Sequence, residues 1–155
     1  MIISADRKRK NLGQIYKPSV PRRNIEFGPK QERGFFPCTN KCDTCAHSKL
    51  TKNIKSPWDG RNWQIRQHIT CTTPFVVYLI YCTIHKFFYT GSTVNLKLRW
   101  ANHKSDINLQ KLTKCSLTQH VPQFPDPSSK QLEYLEIFAV ESVSNEEELL
   151  EKELY

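Results

Sequence analysis

No apolar run in these 155 residues approaches the roughly 20 that a membrane-spanning helix needs. The start reads Met1-Ile2-Ile3-Ser4-Ala5-Asp6 and then Arg7-Lys8-Arg9-Lys10, which lacks a secretory signal's order of charge, apolar core and cleavage site. Both absences point to an intracellular protein, where six cysteines serve as thiols or zinc ligands rather than disulfides. Carboxylates are also scarce until the end of the chain. Residues 1–70 carry 15 Lys and Arg against five Asp and Glu, and residues 71–131 carry seven against two. Residues 132–155 reverse the balance, with one against eight. A basic body with an acidic last segment predicts a polyanionic partner for the first two-thirds, and neither a membrane nor a small-molecule substrate.

What is present divides the chain in three. Residues 1–35 have no clear periodicity and are rich in Pro, Arg and Lys, as expected of a basic, poorly ordered arm. Residues 36–71 hold a Cys-rich segment and linker. Cys38, Cys42 and Cys45 lie within eight positions, close enough to share one ion, and zinc takes four nitrogen or sulfur ligands in a tetrahedron. His47 or Cys71 completes the set; Cys71 is favoured because a distant ligand staples the arm to the domain. Trp63, Ile65 and Ile69 alternate as a short strand or extended cover for the core, and Trp58 and Trp63 are read as packing aromatics. Residues 72–155 form the main domain.

The dense run Phe75 to Cys82 reads as a buried strand, and Phe87 to Thr90, closed by Gly91, as its hairpin partner. Ser92 or Thr93 is placed to cap a helix on which Arg99 and His103 share a face one turn apart. Residues 108–131 read as irregular connection, with His120 in it and Cys115 unassigned. Leu132 to Val140 resumes a strand signal beside the hairpin. Ser144 with Glu147 matches a capping box that opens a final helix. The fold class is therefore α/β (α+β): a small, mainly antiparallel three-stranded sheet flanked by helices.

Tyr78 in Val77-Tyr78-Leu79, Tyr89 in Tyr89-Thr90-Gly91, and Arg99 followed by His103 resemble the signatures of the GIY-YIG nuclease superfamily. The likeness is closest to the endonuclease module of Penelope-like retroelements. Arg33-Gly34-Phe35-Phe36 before the Cys-rich knuckle, Trp63-Gln64-Ile65, Ile69-Thr70-Cys71, Val76 to Ile80, and His103 to Ile107 resemble that module in the same order. The departures are Thr90 in place of a usually aliphatic residue and the absence of the family's closing Asn.

The resemblance implies metal-dependent nicking of DNA. Tyr78 or Tyr89 would help activate water, Arg99 would neutralise charge on the phosphate, and His103 would act as base or hold the water. A carboxylate on the last helix, Glu153 or failing that Glu151, would hold Mg²⁺ or Mn²⁺; the family's aromatic-Ile pair after it is cut off, so the domain is expected to be truncated there. A second zinc site is implied at Cys82, His85 and His120, with His103 a candidate fourth ligand. A reverse transcriptase in the same polyprotein and a nuclear rather than cytoplasmic location complete the expectation. The alternative is a zinc-stabilised nucleic-acid-binding domain without cleavage.

Overall fold

A computed structural model describes residues 2–4, 31–38, 42–56, 59–111, 116–121 and 128–154, with backbone alone at 2–4, 128–129 and 153–154. The elements in order are β1 (Ile2–Ser4), β2 (Gly34–Phe36), α1 (Asp43–Ala46), β3 (Asn53–Lys55), β4 (Asn62–Gln64), β5 (His68–Thr70), β6 (Val76–Cys82) and β7 (Phe87–Thr93). There follow α2 (Leu96–Asn108), α3 (Ser116–His120), a 3₁₀ segment (Ser128–Tyr134), β8 (Leu135–Ser142) and α4 (Glu146–Leu154). Among the described residues, no helix is long and apolar enough to cross a membrane.

The main sheet has the order β1-β7-β6-β8. Strands β7, β6 and β8 form the expected three-stranded antiparallel sheet, and β1 adds a short parallel strand beside β7. Strand β6 is central, and its Val76, Tyr78, Leu79, Ile80 and Cys82 are buried, which accounts for its nearly unbroken apolar sequence. Helix α2 contributes Leu96, Trp100, His103 and Ile107 to the interior, a stripe at helical spacing. Ile65 and Ile69 are fully buried and Trp63 packs on the core from β4, in keeping with the packing role expected of that segment. Trp58 lies outside the described residues.

Several local expectations are corrected. Gly91 does not end β7. It sits inside the ladder opposite Tyr78, and the strand runs on to Thr93. Ser92 and Thr93 are thereby taken up by pairing with Val77 and Val76, and Asn95 caps α2, its Oδ1 accepting the Leu98 N–H at 3.0 Å. The last helix is likewise shifted by one residue. Asn145 Oδ1 accepts from the Glu148 N–H, and the Glu148 carboxylate accepts from the Ser144 N–H. The connection after α2 is not wholly irregular: α3 delivers His120, and the 3₁₀ segment takes up Leu132 to Tyr134, so β8 begins at Leu135. Cys115 and the three prolines of this stretch lie outside the described residues.

Candidate active site and cysteine clusters

Tyr78 lies in the middle of the central strand, paired with Gly91 on one side and Ala139 on the other. Opposite residues of an antiparallel pair share a face, so the ring rises between the two smallest neighbours available. A Cβ at Gly91 would stand 2.5 Å from the Tyr78 Oη and 2.7 Å from Cζ. Glycine here serves close approach rather than a turn. Because the Tyr78 ring is fully buried, Gly91→Ala is expected to cost about 1–3 kcal/mol in a urea melt.

The Tyr78 hydroxyl is the hub of the site. Arg99 donates its Nε–H to the Tyr78 Oη at 3.0 Å, and His103 Nε2 lies 2.8 Å from the same oxygen. With Arg99 donating, the phenol keeps its own proton to offer to His103. The Tyr89 ring stands 6.5 Å from that of Tyr78 and 5.5 Å from that of His103, nearly perpendicular to the latter. The i, i+4 spacing on α2 points Arg99 and His103 at the same strand pair. Burial opposes the Arg99 charge, but Tyr78 and Tyr89 outweigh it by charge and hydrogen bonding and hold its pKa above the ordinary arginine value. The guanidinium is thus a permanent cation in a partly buried position, where a fixed charge would act more strongly on a nearby negative charge than in open water.

The tetrad Tyr78, Tyr89, Arg99 and His103 is brought together by β6, β7 and α2. Glu153 lies on α4, whose backbone packs against β7 and β6, but its side chain lies outside the described residues. Glu151 is exposed. Composition and motif both passed over Glu141, which is buried on β8 and bonded by Lys152 Nζ at 2.7 Å. This ion pair fastens α4 to the sheet one residue before Glu153. An acidic residue following the β8 apolar run was its one trace in the sequence.

Two further clusters carry metal-ligand chemistry. The sulfurs of Cys38, Cys42, Cys45 and Cys71 all lie within 4.8 Å of one another, with the closest pairs at 3.4–3.5 Å. A tetrahedron with zinc–sulfur bonds near 2.3 Å has edges of roughly 3.8 Å, so this donor set fits zinc. The Cys38 thiol is lowered to about 6, chiefly by a backbone hydrogen bond from Cys42 and then by the Cys71 and Cys45 thiols. Burial pushes Cys45 up, and Cys71 up to about 11. The alternative ligand His47 stands apart from this set, its ring against Trp100 at 5.1 Å.

The second cluster joins Cys82, at the end of β6, His85 in the hairpin loop, and His120 on α3. Cys82 Sγ is 3.7 Å from His85 Nδ1, which is 3.1 Å from His120 Nε2. Among the described residues this group stops at three donors. His103 does not join it and is engaged with Tyr78 instead.

Residues 74–155, more than half of the chain, match the family model of the GIY-YIG catalytic domain. No curated protein and no solved structure matches the chain. The matched span contains the whole constellation, two tyrosines on paired antiparallel strands and the arginine and histidine on α2. The chain therefore belongs to the GIY-YIG family, an endonuclease fold that hydrolyses the phosphodiester bonds of nucleic acid.

Proposed function

We propose that this domain is a metal-dependent DNA nickase of retroelement origin, working at the Tyr78 hub. The observation that carries the reading is the Arg99–Tyr78–His103 chain of contacts, which puts a fixed cation and a proton acceptor on one phenolic oxygen. A phosphate brought to this mouth meets the Arg99 guanidinium, which offsets the negative charge that grows on the phosphoryl oxygens as water attacks. The Tyr78 hydroxyl passes its proton toward His103 Nε2 as it takes one from the water, so His103 is the terminal acceptor. Tyr89 walls the pocket and helps hold Arg99 in place. Glu153 on α4 would hold Mg²⁺ or Mn²⁺, which supplies Lewis-acid stabilisation of the phosphate. The basic excess before residue 131 supports a nucleic-acid partner, and the ordered likeness from Arg33 to Ile107 supports the retroelement lineage and, with it, a nuclear site of action.

The test is conversion of supercoiled plasmid to open circle with Mg²⁺ or Mn²⁺ and its suppression by EDTA. Salt-sensitive DNA binding without any nicking would leave only the binding-domain alternative. In the same assay Gly91→Ala is expected to be about 100-fold slower, since it displaces the Tyr78 hydroxyl from both partners.

The two clusters are assigned to structural zinc. Elemental analysis should find about two zinc ions per chain, with one lost in Cys82→Ser or His120→Ala. A wild-type content of about one, unchanged in those variants, would remove the Cys82 site.

A further inference from the structure

Helix α2 bears two neighbouring stripes at i, i+4 spacing. Arg99 and His103 form one; Trp100 and Lys104 form the other, about 100° further round the axis. The first faces Tyr78. The second faces the cysteine knuckle. Trp100 is fully buried, with the His47 ring 5.1 Å away at 56°, and Lys104 is ion-paired with Asp43. Both partners lie within five residues, 43–47, a stretch that also contains Cys45.

That short segment is anchored on its other side to the outer edge of β8. Ile137 donates its N–H to the His47 carbonyl at 2.9 Å, the Ser48 hydroxyl lies 2.6 Å from the Ile137 carbonyl, and Lys49 pairs with Glu136 at 2.8 Å. The knuckle thus fills the corner between the sheet edge and the back of the helix that carries the catalytic pair. Helix α1 has four residues, too few to hold its own shape. Cys42 caps it and Cys45 lies within it, and their sulfurs meet those of Cys38 and Cys71 within 4.8 Å.

We infer that the four-cysteine knuckle is a brace that sets the rotation of α2 and so aligns Arg99 and His103 from behind the helix. Asp43, His47, Trp100 and Lys104 are positioning residues in this scheme. The inference rests on the nuclease reading for its catalytic consequence, though the mechanical link does not depend on it. Rotation of α2 by a few degrees moves both side chains together, because they share one stripe. A displacement on the order of 1 Å at reacting groups costs up to about 100-fold in rate.

The experiment uses the full chain with ¹³C,¹⁵N-histidine labelling, read by the ring resonances of His103 and by nicking kinetics. The variants are Asp43→Lys, Lys104→Asp, the exchanged pair carrying both, and His47→Ala; none alters a sulfur ligand or a residue that contacts Tyr78. Expected for Asp43→Lys and His47→Ala are unchanged zinc content, a shifted His103 signal, and a roughly tenfold lower kcat at unchanged KM for plasmid. The exchanged pair should recover the signal and most of kcat. A knuckle that merely stabilises would move the melting temperature and leave the His103 signal and kcat where they were, which overturns the proposal. Single variants that shift His103 with no recovery in the exchanged pair overturn it too. If wild type does not nick while His103 shifts and recovers as described, the brace stands and the nuclease reading fails.

Discussion

Arg99→Ala is expected to slow plasmid nicking by about 10²–10³-fold, with plasmid affinity changed only a few-fold. The guanidinium is partly buried and donates to the Tyr78 hydroxyl at 3.0 Å. Its removal takes away a fixed cation bonded to the hub, while the His103 contact with the same oxygen at 2.8 Å stays in place. The loss should fall on kcat, since the charge it offsets develops in the transition state rather than in the bound phosphodiester. Lysine is expected to rescue poorly, because a point charge cannot keep the directed Nε contact. Equal rates for Arg99→Ala and wild type, at equal DNA binding, would remove Arg99 from the mechanism.

Cys71→Ser is expected to lower the zinc content by about one ion per chain and the melting temperature by about 10 °C. Cys71 follows β5 and is buried, and its sulfur lies 3.5 Å from that of Cys42. Without a cation the thiol is held protonated by burial, at about 11, and Cys45 is raised for the same reason. A divalent ion reverses this by stabilising the thiolates, and binding therefore releases protons. Zinc retention should accordingly fall as pH is lowered, because protons compete for the raised sulfurs. A stability loss is expected because the Cys71 sulfur joins the end of β5 to the knuckle, 26 residues along the chain from Cys45. A variant that keeps both its zinc content and its melting temperature would remove Cys71 from the metal site.

The chemistry-bearing residues were legible because their signals are local. Tyr78 and Tyr89 sit at fixed distances within one hairpin, and Arg99 and His103 one turn apart on one helix, so spacing alone predicts their proximity. Three of the four knuckle cysteines are legible in the same way. The strand character of β6 and β8 follows from apolar, β-branched and aromatic runs, which have few other uses at that length. Helix starts were less accurate, off by two or three residues at Asn95 and by one at Asn145. Ser, Thr and Asn compete for the cap on nearly equal terms, and sheet pairing decided the first case by taking Ser92 and Thr93.

The sequence by itself determined the composition of the site: the tyrosines, the Arg–His turn and sulfur ligands in numbers suited to zinc. Only the tertiary structure decided which partners these groups have. His103 was open to two roles in sequence, and the contact at 2.8 Å binds it to Tyr78 and away from Cys82, His85 and His120. Gly91 read as the end of a strand and proved to be the space beneath the Tyr78 ring. The contacts of Trp100, Lys104 and Glu141 could not be read from the sequence, because each depends on a partner on another element: His47, Asp43 and, across the β8–α4 turn, Lys152. Local spacing is set by bond geometry and can be read from the chain, whereas contacts between elements depend on the close packing of the whole domain.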